Sequence, residues 1–247
     1  MLITGAAKRL GRAISLELAG NGFAVAIHAN RSLVEATLLA NEIVAAGGRA
    51  AVVLADLRNA AETEALMAQA EEAIGPIGML VNNASLFIED SATHFDADVF
   101  AAHFDIHLRA PCILAAALAR RVPTDGGGLV VNIIDQRVWA LSPRFYSYTL
   151  SKSALWTATQ TMAQALAPKI RVNAIGPGPT IKSDRQTDAD FQAQIDRLPL
   201  KTGPALGEFG RTIRFLFDTP SITGQMIALD GGQHLEWRSY DGTEIIE

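Results

Sequence analysis

Short β-branched, apolar runs alternate along this chain with longer amphipathic stretches, and no other feature constrains the fold as much. The candidate strands are Leu2–Thr4, Ala24–His28, Ala50–Leu54, Met79–Val81, Leu129–Ile134, Arg171–Ile175 and Met226–Leu229. The candidate helices are Leu10–Asn21, Leu33–Ala46, Ala60–Ala73, Ala97–Arg121, Tyr146–Ala167 and Gly207–Phe217. Such alternation implies βαβ crossovers and a parallel sheet with helices on both faces. The strands read as continuous apolar runs, as expected for a sheet covered on both sides. The expected fold is α/β: a single doubly wound domain over residues 1–247, built on a mostly parallel seven-stranded sheet. No linker, repeat or low-complexity segment divides it. Gly176–Pro204 has little apolar pattern and reads as an irregular, lid-like segment. Glu236–Glu247 reads as a polar tail.

Composition narrows the function classes. The formal net charge is -5, leaving no basic surplus for nucleic acid or an anionic membrane, so neither is an expected partner. One cysteine, Cys112, excludes an intramolecular disulfide and a cysteine-rich metal site. It fits a reducing cytoplasm and reads as a buried apolar residue. The longest continuous apolar run, Ala110–Ala119, is too short to span a bilayer. The Met1–Thr4 start lacks the charged region of a secretory leader.

The first strand runs into Thr4-Gly5-Ala6-Ala7-Lys8-Arg9-Leu10-Gly11, which opens the first helix. In a doubly wound fold this is where helix N-terminal amides take a dinucleotide pyrophosphate. Gly5 permits the tight turn, Gly11 permits close packing of helix on strand, and Lys8 and Arg9 add positive charge. A ligand-free strand–turn–helix junction is the competing reading. The second strand ends in His28-Ala29-Asn30-Arg31-Ser32. It lacks the acid that accepts from an NAD ribose hydroxyl, whereas Arg31 and Ser32 offer donors to a 2′-phosphate. The expected cofactor is therefore NADPH, with Ser32 also a candidate helix cap. Asp56 is placed either to meet the adenine edge or to serve as a turn residue.

Tyr148 and Lys152 lie one helical turn apart. A phenol ordinarily has a pKa of about 10, and a nearby ammonium favours the phenolate. The pair can therefore move protons near neutral pH, although Tyr-x-x-x-Lys also arises by chance on helices.

Taken in order, Thr4-Gly5…Gly11, Asp56-Leu57, Asn82-Asn83-Ala84, Tyr148…Lys152, Asn173–Gly178 and Asp230-Gly231-Gly232 resemble the short-chain dehydrogenase/reductase family from end to end. The resemblance implies a Rossmann-type fold. It also implies cofactor contacts from Gly5, Lys8, Arg9, Leu10, Asn30, Arg31, Ser32, Asp56, Leu57, Asn83, Ala84, Tyr148, Lys152, Pro177 and Gly178. Thr4-Gly5-x-x-x-Arg9, Ser85-x-Phe87 and Asp135, which stands where most members have serine, resemble the pteridine-reductase branch. His107, where most members have asparagine, and the Asp230–Leu235 ending resemble its bacterial dihydromonapterin-reducing members.

That branch implies reduction of a dihydropterin C=N bond, with the substrate of dihydromonapterin or dihydrofolate type. Tyr148, Lys152, Asp135 and His107 are the expected catalytic residues. Arg9, Ser85, Phe87, Asp135 and Tyr148 are the expected substrate contacts. Each has a plainer reading: Asp135 as a helix cap, Phe87 as core, and His107 as a satisfied helix histidine. His103 and His107 share a metal-ligand spacing, but no metal is expected. The rival functions are a carbonyl or alcohol oxidoreductase of unknown substrate and a non-catalytic NADP(H)-binding protein. Family members usually form tetramers, so a homotetramer or homodimer is expected. The small-residue stretch Ala115–Ala119 would suit close helix packing between or within subunits.

Overall fold

The computed structural model describes residues 1–236 apart from 125 and 184. Seven strands form one sheet in the order β3-β2-β1-β4-β5-β6-β7. They are β1 (Leu2–Ile3), β2 (Val25–Ala29), β3 (Ala50–Leu54), β4 (Met79–Asn82), β5 (Gly128–Ile133), β6 (Ile170–Pro177) and β7 (Met226–Leu229). All six pairings are parallel, so the sheet has no antiparallel member. The strand order reverses between β1 and β4, and ligands bind doubly wound sheets at the carboxyl edge of such a switch point.

Side chains alternate across the pleat, so each strand feeds two cores. Ile3, Ile27, Val81 and Val131 pack under α1 (Arg9–Gly20), α2 (Leu33–Ala45) and α8 (Leu206–Asp218). Leu2, Ala26, Leu80, Val130 and Val172 face α3 (Ala60–Ile74), α5 (Ala110–Arg121) and α6 (Tyr146–Leu166). Ala115, Ala117 and Leu118 are buried in this second core, so most of the small-residue stretch packs inside the chain. Cys112 is only half-buried.

Two expectations need correction. Ala97–Arg121 is not one regular helix: α4 (Ala97–Phe104) meets α5 through a π-helical turn, Asp105–Arg109. Pro111 has no N–H to offer the His107 carbonyl, and the ladder slips by one residue, so that the Ala110 amide bonds to the Asp105 carbonyl. By length and composition this 25-residue stretch could cross a membrane, yet α5 lies against α3, β4 and β5. Second, the segment read as irregular contains α7 (Asp188–Arg197). None of its residues is buried, and its apolar face is limited to the partly buried Phe191 and Ile195, one turn apart. Its local signal is a capping box, Thr187 with Asp190. Of the expected tail, residues 237–247 lie outside the described residues.

Candidate active site

The glycine loop is held by its neighbours. The Asn83 side-chain amide donates to the carbonyls of Thr4 (2.9 Å) and Gly5 (3.0 Å). The Thr4 hydroxyl accepts from the Asn83 and Ala84 amides. A Cβ on Gly11 would lie 2.3 Å from the Gly5 carbonyl oxygen and 2.7 Å from Asn83 Nδ2. A Cβ on Gly5, whose φ is +59°, would lie 2.8 Å from the Ala84 Cα. Lys8 takes the N-cap position of α1 without a side-chain cap bond, and no acid occupies the first turn. The opening amides of α1 therefore face the loop with the partial positive charge of a helix N-terminus, which fits a pyrophosphate. The Lys8 ammonium itself pairs with Glu35 at 2.5 Å. Arg9, at φ 50°, reaches across to the carbonyls of Ile181 and Lys182. Leu10 packs on the core, so any contact it makes with a cofactor is through its backbone.

At the next strand ends, Asn30 and Arg31 are exposed. Ser32 occupies the N-cap position of α2 but makes no side-chain cap bond. Asp56 is not open: its carboxylate binds the Arg58 guanidinium and amide, which hold it below the usual carboxylate range. The Leu57 side chain is buried in the core, leaving only its backbone for a ligand. His28, absent from the expected site, bonds the Gly5 amide through Nδ1 (3.1 Å) and the Ala55 carbonyl through Nε2 (3.1 Å). Burial lowers its pKa to about 4, so it is a neutral staple across three strand ends. Pro177 ends β6. A Cβ on Gly178 would lie 2.6 Å from the Asp230 Cα.

β5 and α6 bring the chemistry together. Asp135 lies two residues past the end of β5 and caps a 3-10 turn, Gln136–Val138, where its Oδ1 accepts from the Arg137 amide at 2.8 Å. Its Oδ2 accepts from the Tyr148 hydroxyl at 2.9 Å. One carboxylate therefore both caps this turn and accepts from the Tyr148 phenol. Tyr148 is buried, and burial together with the Asp135 charge raises its pKa well above 10. This reverses the expected shift: the phenol is held protonated. Lys152 does not touch the phenol oxygen by hydrogen bond; its Nζ donates to the Ile133 carbonyl at 2.8 Å and lies 5.7 Å from the Tyr148 ring centroid. Burial lowers the Lys152 pKa to about 8.

His107 fills both ring nitrogens within the protein. Nε2 accepts from the Leu86 amide (3.0 Å) and meets the Ser85 hydroxyl (3.0 Å), while Nδ1 donates to Ser151 Oγ (2.8 Å). Burial holds its pKa well below the usual histidine value. It makes no direct hydrogen bond to Lys152, whose Nζ donates to the Ile133 carbonyl. His103 bonds the Ile88 amide in the same way. The two histidines thus hold the Ser85–Ile88 loop; among the described residues there is no group of three potential metal ligands.

Phe87 is 38% exposed and is not core. It stacks on Phe145 with centroids 4.1 Å apart and meets the Tyr148 ring edge-on at 4.7 Å. Phe145 reads from sequence as core or pocket wall, whereas Arg137 and Arg185 were not expected there. Phe145 sits at φ 57°, a left-handed conformation rare for a phenylalanine. The Arg137 and Arg185 guanidiniums lie over the ring pair, and Arg185 also donates to the Phe87 carbonyl. The left-handed residue and the Arg185–Phe87 pairing have no signature in local sequence pattern. Asp90, likewise unexpected, accepts from the Ser147 amide (2.9 Å) and hydroxyl, fixing the start of the helix that carries Tyr148.

Known proteins are similar to this chain in sequence and fold. A family model described as short chain dehydrogenase matches residues 1–192. The crystal structure of FolM alternative dihydrofolate reductase 1 from Brucella suis in complex with NADP superposes with a TM-score of 0.95, at 56% identity over 98% of each chain. Dihydromonapterin reductase of Shigella sonnei is 31% identical over 178 residues, covering 70% of this chain and 74% of that one. A 3-oxoacyl-(acyl-carrier-protein) reductase of Synechocystis is 29% identical over 235 residues, covering 94% and 95%. With its glycine loop, parallel sheet and Tyr148/Lys152 helix placed as described, this chain belongs to the short-chain dehydrogenase/reductase family.

Proposed function

We propose that this protein is an NADPH-dependent reductase of a dihydropterin of the dihydrofolate or dihydromonapterin type. One observation carries the reading: the Tyr148 phenol donates to a carboxylate, Asp135, rather than to a serine hydroxyl. The open amides of α1 would hold the cofactor pyrophosphate, and Arg31 and Ser32 its 2′-phosphate. When bound, the reduced nicotinamide supplies the hydride that the carbon of a C=N bond accepts. The ring nitrogen then needs one proton. Tyr148, held protonated, is suited to give it. The Lys152 ammonium, fixed to the Ile133 carbonyl below the ring, stabilises the phenolate this leaves. Asp135 orients the phenol and accepts from ring N–H groups. His107 acts as a positioning residue for Ser85 and Leu86. Phe87 provides an exposed flat surface beside the phenol.

The nitrogen base of a pterin ring and a carboxylate are complementary in a way a simple ketone and a carboxylate are not, which favours this over a carbonyl reductase. Steady-state kinetics with NADPH and NADH, across dihydropterins and simple carbonyls, tests the choice. Oxidation of NADPH with ketones and never with dihydropterins overturns it, and tight NADPH binding without any turnover points to the non-catalytic alternative. The same reading places the protein in the cytoplasm as a homotetramer or homodimer. Among the described residues β7 ends the sheet, and Phe215 and Phe217 on α8 are exposed, which supports association.

A further inference from the structure

Two guanidiniums converge on one pair of stacked phenyl rings. Arg185 Cζ lies 5.1 Å from the Phe87 centroid and 5.4 Å from that of Phe145. Arg137 Cζ lies 5.8 Å and 5.3 Å from the same two centroids. Holding two fixed positive charges against one apolar surface is unfavourable unless something compensates. The rings offset part of this through their π faces. Among the described residues the acids nearby are otherwise engaged: Glu89 pairs with Arg144, Asp90 caps α6, and Asp135 holds the phenol and the Arg137 amide. Among the described residues no carboxylate pairs with Arg137 or Arg185. Among the described residues their guanidiniums donate to backbone carbonyls, those of Arg144 and Phe87 respectively.

We propose that Arg137 and Arg185 form an anion subsite at the mouth of the active site, which selects a dihydropterin whose tail carries an aryl group and, beyond it, carboxylates over one carrying a neutral polyol. The inference rests on the reductase reading above and adds the part of the substrate beyond the ring. The chemistry matches on both counts. An aryl group stacks on guanidinium planes and phenyl faces, and a carboxylate accepts paired N–H bonds from arginine. A neutral polyol uses neither charge. The Arg137 guanidinium is also 5.8 Å from the Tyr148 ring, so the subsite begins next to the reacting centre. Arg185 comes from the segment before α7, 98 residues from Phe87 in sequence, and its bond to the Phe87 carbonyl ties that segment to the ring wall.

The test compares kcat/KM for dihydrofolate with that for dihydromonapterin in the wild type, Arg185→Met and Arg185→Lys. Arg185→Met is expected to lower the dihydrofolate-to-dihydromonapterin ratio at least tenfold, mainly through KM for dihydrofolate. Arg185→Lys keeps the charge and is expected to recover part of that ratio. Raising ionic strength should raise KM for dihydrofolate and leave that for dihydromonapterin within about twofold, since only the former pairs with exposed charges. A ratio unchanged within twofold in Arg185→Met overturns the subsite. So does an equal loss on both substrates, because that marks Arg185 as a support for the Phe87 loop only. Equilibrium binding of folic acid to the NADP⁺-loaded protein gives the same comparison without turnover: affinity unchanged in Arg185→Met also overturns it. Wild-type protein that reduces neither dihydropterin overturns the reductase reading itself, a result distinguishable from the others.

Discussion

Asp135→Asn isolates the charge that sets this site apart. The substitution is isosteric, and an amide oxygen can still accept from the Arg137 amide, now 2.8 Å from Oδ1. The cap should survive, with a stability change under about 1 kcal/mol. What changes is the bond at Oδ2, 2.9 Å from the phenol oxygen. A hydrogen bond to a charged group contributes about 1.5–3 kcal/mol, against about 0.5–1.5 kcal/mol for a neutral one. The phenol thus loses roughly 1–1.5 kcal/mol of orientation, about tenfold in rate. Loss of the carboxylate as the acceptor for ring N–H groups adds up to about a further tenfold, again the difference between a charged and a neutral hydrogen bond. We expect kcat for a dihydropterin to fall about 10- to 100-fold at saturating NADPH, with cofactor affinity unchanged. Since the Asp135 charge helps raise the Tyr148 pKa, the variant's phenol should also ionise at lower pH. Ultraviolet titration of the three tyrosines follows this directly. A variant with normal melting temperature and kcat within twofold of wild type would refute the role given to Asp135.

Three further outcomes are expected. Gly11→Ala forces a Cβ to within 2.3 Å of the Gly5 carbonyl, so NADPH affinity measured by fluorescence should drop at least about tenfold, the loss of one charge-assisted hydrogen bond to phosphate; unchanged affinity would mean that the loop does not carry the cofactor. Arg31→Ala should raise KM for NADPH about 10- to 100-fold, the equivalent of about 1.5–3 kcal/mol, with little change for NADH; equal effects on both cofactors would remove Arg31 from 2′-phosphate recognition. His28 has a pKa of about 4 when folded against 6.5 as its ordinary value. Between these values the unfolded chain binds a proton that the folded chain does not. The stability from its neutral, bonded form is therefore complete above about pH 6.5 and lost as pH falls toward 4, by up to about 3 kcal/mol. Urea midpoints at pH 7 and pH 5 measure this, and His28→Gln should lessen the difference; an identical pH dependence in the variant would exclude His28 as its source.

Much of the fold was legible because its signals are local. A strand buried on both faces needs an unbroken apolar run, and a helix between strands needs an amphipathic one, so the order β1 to β7 with its crossovers follows from pattern alone. Gly5 and Gly11 are legible for a similar reason: each sits where a Cβ has no room. α7 was missed because it buries no residue fully, and periodicity reports burial rather than helicity. The Asp105–Arg109 turn was missed because one slipped hydrogen bond leaves the apolar pattern of Ala97–Arg121 nearly intact.

The amino-acid sequence by itself determined the sheet, the nucleotide loop and the pairing of Tyr148 with Lys152 on one helix, since these rest on spacings of four residues or on runs of one residue class. Only the tertiary structure decided what each group does to the others. It turned the Tyr148 pKa upward by setting the phenol in a dry site against Asp135, and it tied Lys152 to the Ile133 carbonyl instead of the phenol. It spent both nitrogens of His107 on Ser151 and the Ser85–Leu86 loop, and it laid Arg137 and Arg185 over rings from distant parts of the chain. Electrostatic and desolvation effects depend on distances of a few ångströms between groups far apart in sequence, and a linear pattern holds no record of those distances.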